Sequence, residues 1–521
     1  MLFILISSCI AAAQTSGNTG VYNQSSNSAP ISYSPAYIDA SAIYFWENSQ
    51  NQTVDFCAVL NNILTSTTLN NGYPPFPAQG AVVDARGILN IPTSNGHGGY
   101  STNPLACSIN PFLGITQPTK ATILLPAATI AVSRPWVIPS ETKVVGAGRN
   151  ATTLALDSSF VADSLNALIE MGSPGSVSAP GACGTTNVCT GISIEHLTAS
   201  TNYTNGSTAN SFFHAIYNND AQDASYVDDV VMTAGQTSST ATNGPIVTTG
   251  LLIGPGANYS GPYTNIDFVG SKACSGNTCA PTACVQIQAQ TRGLHGITCT
   301  VTSTQTSGQP RAAIYLDSYN NTISDVHSEG SYDGIVVGDY FDLQPLPGGA
   351  AAAPKITATT ISNLTIGYGA GPSLQGVHIC SPALASSSTT ACTHNTSGKV
   401  SDVTLTQIQS TGTSNFTTVR PIADDLTGTL LPQSGNQQFV GKYVVGEPVT
   451  VNTSVTGYTR YTTSPTLPNW GIGDAPISGA CNNPGGIYSH TKGGKQPGTQ
   501  NTFYVCAYST TTSSLQWIPI G

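Results

Sequence analysis

The sequence predicts an all-β protein built as a parallel β-helix, because two short sequence phrases alternate along its middle part. The first phrase spans six residues and reads apolar, any residue, Asp/Asn/Gly/His, apolar, any residue and usually apolar again. Its seven copies begin at Ile194, Val227, Tyr263, Leu294, Ile323, Ile361 and Val400. Successive starts lie 29 to 39 residues apart. A period of this length in β-rich units is typical of a solenoid.

The second phrase spans five residues, begins with a small residue and has mostly aliphatic second and fourth positions. Its copies begin at Ala215, Gly250, Cys284, Ala313, Gly334 and Gly376. This alternation is that of a strand whose second and fourth side chains point inward and whose third and fifth point outward. We therefore expect two strand types per turn, with neighbouring turns completing the core.

The composition indicates a polar surface that carries little charge. Only 8% of the 521 residues are charged, and the formal net charge is -10. This balance argues against nucleic acid as a partner, because phosphates require a basic surface. No apolar run after the N-terminus is long enough to span a bilayer, so no membrane span is expected.

The sequence divides into six segments. Met1–Ala13 is interpreted as a secretory signal peptide, with a lipid anchor on Cys9 as the alternative. Val54–Leu64 has apolar residues at helical spacing and predicts a helix that covers the open end of the solenoid. The predicted segments are a signal peptide (1–13), an extended arm (14–50), a cap with a helix and an entry strand (51–120), the β-helix (121–410), an irregular β linker (411–480) and a small β module (481–521).

The cysteines indicate disulfides and an oxidising compartment. Twelve of the 13 lie beyond Cys9, which is an even number. The pairs predicted from closeness in sequence are Cys183 with Cys189, Cys274 with Cys279, Cys380 with Cys392 and Cys481 with Cys506. The pairing of Cys57, Cys107, Cys284 and Cys299 stays open, because sequence alone does not define it.

The entry strands carry a resemblance to a known family. These strands are Ala81–Asp84, Thr122–Leu125, Thr129–Val132, Trp136–Ile138 and Lys143–Val145. Together with Gly80–Gly87 and Val144–Arg149, they resemble the entry turns of the pectate-lyase superfamily, which is similar in architecture to polygalacturonases and phage tailspikes. The resemblance covers roughly residues 50 to 410 and implies a right-handed β-helix. Pro126–Thr129 departs from the family pattern, since it lacks the Gly and Tyr expected there.

Outward positions of the second phrase provide candidate sugar-binding residues. Aromatic rings can stack on the apolar faces of sugars, and amides can bond hydroxyl groups. The candidates for substrate binding are Tyr217, Gln286, Tyr315 and His378 on this face, with Asp267 from the first phrase. The alternative is an ordinary solvated sheet face.

The third position of the first phrase predicts a structural role. Its Asp, Asn and His side chains are interpreted as residues at a bend of each turn, which tolerate the left-handed conformation and satisfy backbone groups. The fifth position is mostly threonine, so Asp267 and His327 stand out there.

Ionisable residues concentrate around His327 in this charge-poor chain. The candidate catalytic residues are Asp317, His327, Glu329, Asp333 and Asp339. Hydrolysis of a glycoside needs an acid and a carboxylate, and elimination from a uronate needs a base with Ca²⁺ held by carboxylates. The catalytic signatures of the polygalacturonase and pectate-lyase families, which are Asn-Thr-Asp, Asp-Asp followed by Gly-His-Gly, and Arg-Ile-Lys, do not occur in that order in the sequence. A structural cluster or a Ca²⁺ site is therefore an alternative, and no other cofactor is implied.

Two functions follow as expectations. The first is a secreted polysaccharide lyase or glycoside hydrolase that acts on acidic or plant-type polysaccharide. The second is a non-catalytic glycan-binding adhesin or a structural fibre protein. The C-terminal module is interpreted as a cap, a trimerisation element that would make a homo-oligomer, or a surface-binding tag.

Overall fold

The structure is a computed structural model of the chain. It describes residues 33–34, 37–49, 54–67, 73–88, 104–157, 159–163, 165, 167–172, 188–201, 212–235, 246–271, 283–302, 312–330, 333–338, 356–367, 373–379, 400, 402–411, 418–424, 429–430, 437–444, 459–461, 470–473, 487–490, 502–509 and 514–520. Several predictions fall outside these residues: the signal peptide, Asp339, and the cysteines 183, 274, 279, 380, 392 and 481.

The chain divides into two compact units, with the main boundary between Ile314 and Tyr315 and with Glu329 assigned to the first unit. The first unit contains helices α1 (Ala40–Ser49) and α2 (Phe56–Thr65) and strands β1 (Tyr33–Ser34), β2 (Tyr37–Asp39), β3 (Val82–Asp84), β4 (Leu105–Cys107), β5 (Thr122–Leu124), β6 (Thr129–Val132), β7 (Trp136–Ile138), β8 (Lys143–Val145), β9 (Thr153–Leu156), β10 (Ala167–Met171), β11 (Ser193–Ser200), β12 (Phe212–Asn218), β13 (Tyr226–Gly235), β14 (Ile246–Ile253), β15 (Tyr263–Ser271), β16 (Ala283–Ile287) and β17 (Leu294–Thr302). The remaining strands are β18 (Ala312–Leu316), β19 (Thr322–Glu329), β20 (Asp333–Val337), β21 (Thr359–Gly367), β22 (Ser373–Ile379), β23 (Val403–Thr411), β24 (Thr418–Asp424), β25 (Thr429–Leu430), β26 (Gln437–Val444), β27 (Thr459–Tyr461), β28 (Trp470–Gly473), β29 (Ile487–His490), β30 (Thr502–Ser509) and β31 (Ser514–Ile520).

The first unit is a parallel β-helix, as the sequence predicted. Parallel ladders connect β2, β3, β5, β8, β11, β13, β15 and β17 in one sheet and β7, β10, β12, β14 and β16 in another. Equivalent aliphatic residues of successive turns stack inside it. One such column, fully buried, is Leu197, Val230, Ile266 and Ile297. Each turn therefore covers the apolar side chains of the next.

From β11 onwards each turn has the two strands predicted, and the first of these two strands is bent. The first half of β11 pairs with β8, and its second half pairs with β9. His196 lies between the two halves and has φ 55°. The first phrase therefore forms one strand whose two halves are joined at a single bent residue.

The structural role predicted for the third position of the first phrase is confirmed. All six of its non-glycine members have positive φ, namely His196, Asp229, Asn265, Asp325, Asn363 and Asp402. Their side chains also bond along the stack. Asn363 Nδ2 donates to Asp325 Oδ1, and His196 Nδ1 lies 2.7 Å from Asp229 Oδ2. Asp and Asn tolerate this left-handed conformation better than other residues with a Cβ.

This bend predicts a position-specific effect of valine. We expect Asn363→Val to lower the free energy of unfolding by about 2 kcal/mol, since a β-branched residue is strained at φ 52°. Asn363→Gly should cost less, because glycine adopts this conformation freely. Ser362→Val, one residue earlier on the same strand, is the matched control. Equal losses for valine at both positions in denaturant unfolding would contradict the bend argument.

The seventh copy of the first phrase is placed wrongly by the sequence pattern. Ile361 pairs with Leu405 rather than with Val400, and Leu364 pairs with Ile408. The bend equivalent to Asn363 is therefore Gln407, whose φ is 53°. Asp402 belongs to an earlier bend of the turn. Its equivalent there is Ala358, since Thr359 N bonds Asp402 O. The two bends resemble each other in sequence, which explains the error.

The predicted capping helix is confirmed as α2. Asp55 is its N-cap and accepts a hydrogen bond of 2.8 Å from Ala58 N. A disulfide joins Cys57 in this helix to Cys107 in β4. The extended arm predicted for 14–50 is wrong for its last part, where β2 pairs with β3 and α1 follows. Asp39 caps α1 by accepting from Ser41 N and Ala42 N, an N-cap signal that the sequence interpretation missed.

The second unit is also built from parallel ladders and contains a separate C-terminal sheet. Its ladders follow the order β19, β21, β23 in one sheet and β20, β22, β24 in the other, and the antiparallel strands β26 and β25 pair with β23 and β24. Parallel pairing thus extends to Asp424, beyond the boundary at 410 that the sequence predicted. Strands β27 to β31 form a five-stranded sheet, so the C-terminal module begins before residue 481.

Disulfides occur at several described cysteines. Cys284 in β16 is bonded to Cys299 in β17, which links the two sheets of the first unit. Cys189 and Cys506 are also disulfide-bonded, as predicted, although their expected partners lie outside the described residues. The Cys57–Cys107 and Cys284–Cys299 pairings are those that the sequence left open.

Candidate functional site

An outer row of side chains runs along one sheet of the first unit. Register places Glu170 of β10 beside Tyr217 of β12, then Leu252 of β14, then Gln286 of β16. Parallel neighbours lie about 4.8 Å apart, so the row repeats at that spacing. The sequence predicted the stacking of Tyr217, Leu252 and Gln286 but not the presence of Glu170.

The predicted exposure of this face is wrong. The four proposed sugar-binding side chains of the second phrase are almost fully buried, with exposed fractions of 2% for Tyr217, 7% for Gln286, 3% for Tyr315 and 3% for His378. In the first unit, Leu165 packs against Tyr217 and Leu252. Strand alternation predicts on which side a residue lies, but it does not show whether another segment covers that side.

Glu170 is the most unusual residue of the row. Its side chain is 1% exposed, and burial raises the pKa of its carboxyl well above the usual value, with the nearby Asp163 carboxylate raising the pKa further. The raised pKa keeps the proton on Glu170 to a higher pH than on an ordinary carboxyl, and Glu170 shares a hydrogen bond with Asp163. Its Oε1 is buried without a hydrogen-bond partner among the described residues. Glu170 is the single charge-bearing residue of the strand ALIEM, a signal that the sequence interpretation passed over.

Two further residues next to Glu170 are held neutral by burial. Burial, followed by the carboxyl of Glu170, raises the pKa of Tyr217 to about 12. Burial lowers the pKa of His214 to about 4. The His214 and Tyr217 rings lie 5.6 Å apart, centre to centre. His214 and Tyr217 are thus both uncharged at neutral pH.

The Tyr217 ring also lies over the next turn. A Cβ added at Gly254 would approach the ring within 2.8 Å, so only glycine fits there. Asn219 and Gln288 occupy the positions equivalent to Gly254 on the turns before and after it, as Gly254 N bonds Asn218 O and Gln288 N bonds Ile253 O. Glu170, His214, Tyr217, Asn219 and Gln288 together are called the buried polar cluster below.

The described members of the predicted catalytic set lie on or directly after three successive strands, with His327 and Glu329 on the same one. Asp317 is half-buried after β18, His327 is exposed on β19, and Glu329 is half-buried at the end of β19. Asp333, in contrast, is 2% exposed on β20. His327 and Asp333 belong to different sheets. The expected cluster around His327 is therefore not supported.

The structure instead joins Asp333 to His378. His378 Nδ1 lies 3.2 Å from Asp333 Oδ2, and both side chains are buried. The sequence placed these two residues in separate roles, one catalytic and one sugar-binding. The second phrase predicted that their two strands are neighbours, but not that side chains offset by three positions in the register would meet.

Asp267 has a partner on the protein. Its carboxylate lies 2.7 Å from Arg149, which also lies 3.1 Å from Asp229. Thr298 follows Asp267 on the next turn, as the column predicted. The ion pair with Arg149 explains why an aspartate occupies a position that is threonine on most other turns. It leaves the predicted role of Asp267 in substrate binding without support.

The described residues contain no group of three or more His, Cys, Asp or Glu side chains that could hold a metal ion. Likewise, the described helices include none with the length and apolar character needed to cross a membrane.

Comparison with known proteins adds little to this geometry. No protein-family model and no curated protein matches the chain. A solved structure from Geobacillus virus E2, ORF18, is similar with a TM-score of 0.29 and 10% sequence identity, covering 93% of this chain and 86% of that chain. A similarity at this level carries no argument about fold or function.

Proposed function

We propose that the protein is a secreted carbohydrate-active β-helix protein, a polysaccharide lyase or glycoside hydrolase, whose site is the outer row. The observation that carries the proposal is Glu170, a buried carboxylic acid with a free oxygen beside Tyr217. Strongly perturbed acids of this kind concentrate at functional sites.

The chemistry of Glu170 suits the role of a general acid. Cleavage of a glycosidic bond requires a proton for the leaving oxygen, and a carboxyl whose pKa is raised keeps that proton to a higher pH than an ordinary carboxyl does. Asp163 is in hydrogen-bond contact with Glu170, whereas the two carboxyls of glycosidases are roughly 5 to 9.5 Å apart. Asp163 therefore serves to hold the proton on Glu170 and is not the second catalytic carboxyl.

A non-catalytic glycan-binding or fibre protein is the second candidate. It is favoured by the separation of His327 and Asp333 into different sheets and by the burial of the outer row. A rigid stacked scaffold fits adhesion or structure.

The proposed location outside the cell rests on the disulfides. Bonds such as Cys57–Cys107 form and persist in oxidising compartments. The secretory signal at Met1–Ala13 and the alternative lipid anchor at Cys9 belong to the same proposal.

A polysaccharide panel tests the two candidates with the purified chain. New unsaturated-uronate absorbance identifies a lyase, new reducing ends without it identify a hydrolase, and retention on glycan gels without either identifies a binder. For an enzyme, Glu170→Gln should lower turnover at least about 100-fold, the usual contribution of a general acid.

The control is Asp402→Asn, which removes one carboxylate at an exposed bend where asparagine fits. It should leave turnover unchanged. Full activity in Glu170→Gln would remove Glu170 from the mechanism, and no cleavage or binding of any polysaccharide would refute the proposed function.

A further inference from the structure

The buried polar cluster has hydrogen-bonding capacity that the protein leaves unused. Glu170 Oε1, His214 Nδ1, Asn219 Nδ2 and Gln288 Oε1 are buried, and none has a hydrogen-bond partner among the described residues. A buried polar atom without a partner costs about 1–3 kcal/mol. Four such atoms on neighbouring turns of one face indicate a place that a polar ligand completes.

The unused atoms include both donors and acceptors. Asn219 Nδ2 donates, Gln288 Oε1 accepts, and a neutral imidazole nitrogen or carboxyl oxygen can do either, depending on its proton. A hydroxyl group also donates and accepts, so it matches such a mixed set. The Tyr217 ring between them offers the flat apolar surface that a sugar face requires.

Charge separates the ligand classes. The strands that build this face, β10, β12, β14 and β16, contain no lysine or arginine. Arg149 and Arg292 of the same unit are paired with aspartates, Arg149 with Asp229 and Asp267 and Arg292 with Asp223. A uronate carboxylate brought next to Glu170 would lose its hydration without gaining a cation from these four strands.

We propose that the buried polar cluster binds an uncharged glycan, a neutral hexose or pentose polymer, and not a polyuronate. This inference rests on the proposed function and narrows it to a hydrolase or a binder, because elimination requires a uronate. Glu170 and Gln288 form hydrogen bonds with sugar hydroxyl groups at the two ends of a short glycan segment. The Tyr217 ring packs against a sugar face between them.

Access requires movement of the stretch before β10. Asp163 bonds Glu170 from that stretch, and Leu165 packs on Tyr217 and Leu252. A sugar that reaches Tyr217 therefore displaces Leu165 from the ring. Leu165→Ala removes that competitor and is expected to strengthen glycan binding.

The test is affinity electrophoresis of the full chain in gels that contain either neutral polysaccharides (xylan, glucan, mannan) or acidic ones (polygalacturonate, alginate). The wild-type chain should be retarded by a neutral polysaccharide, equally at low and high salt, because no charge pair is involved. Glu170→Gln keeps a neutral donor and acceptor and should retain binding. Glu170→Ala should weaken it about tenfold, which corresponds to about 1.4 kcal/mol.

The outcomes separate the inference from the function beneath it. Salt-sensitive retardation by polygalacturonate alone, or unchanged binding by Glu170→Ala, would overturn the uncharged-glycan inference while glycan binding stands. Retardation by no polysaccharide of either class would refute the proposed function itself. Thermal unfolding of each variant, with Asp402→Asn as control, shows whether a loss of binding reflects the site or the fold.

Discussion

Removing the Cys57–Cys107 disulfide should lower the free energy of unfolding of the first unit by about 4 kcal/mol. The bond closes a loop with a sequence separation of 50 residues. In the chain-entropy description, opening such a loop returns that amount of conformational freedom to the unfolded state. It also releases the capping helix α2 from β4, so the open end of the solenoid loses its cover.

The second disulfide of the same unit is a matched control. Cys284–Cys299 has a sequence separation of only 15 residues, for which the same description gives about 3 kcal/mol. Each pair is replaced by alanines, and the midpoint of denaturant unfolding of the unit is measured. A larger loss for the Cys284/Cys299 variant, or no loss for Cys57/Cys107, would contradict the loop argument.

Acidification should destabilise the first unit through His214. Its pKa is about 4 in the folded state and 6.5 as the reference for the unfolded chain, so the unfolded state binds the proton first. The stability contributed by neutral His214 is fully present above pH 6.5 and is lost as the pH falls through about 4. The difference corresponds to about 3 kcal/mol. His214→Phe keeps a ring against Tyr217 and should flatten this decline.

Glu170 should change stability with pH in the opposite direction to His214, so it is an internal control. Its folded-state pKa is raised, so its contribution is fully present below pH 4.5 and is lost as the pH rises towards that higher pKa. Glu170→Gln should therefore raise stability at neutral and alkaline pH relative to the wild type. Both predictions are checked by measuring the unfolding midpoints of the His214→Phe and Glu170→Gln variants across the pH range. The same direction of change in both would refute the buried, neutral state of these groups.

The sequence predicted the parts of the fold that depend on local pattern. The entry strands β6, β7 and β8 match the predicted spans, and α2 begins two residues after its predicted start. The bends at Asp229 and Asn265 were predicted because short polar side chains tolerate left-handed backbone. Each of these features is fixed by residues close together in the chain.

The features that the sequence did not predict depend on contacts between distant residues. Burial of Tyr217 requires Leu165 from an earlier stretch, and the Asp333–His378 pair requires two strands to adjoin. Glu170 carried a usable signal, since an acid within an apolar strand is costly unless it is kept neutral or paired. A second usable signal was Asp39, because aspartate is preferred at the N-cap and α1 begins directly after it.

The left-handed bends have a consequence for how such a protein can diversify. Because the corner at residues such as His196 and Asn265 is fixed by a single residue's backbone, the cross-section of a coil does not depend on the length of the excursions between corners. Excursions can therefore lengthen, shorten or be exchanged during evolution while the scaffold keeps its shape. A lineage under pressure to recognise new surfaces can vary those excursions and leave the corners untouched.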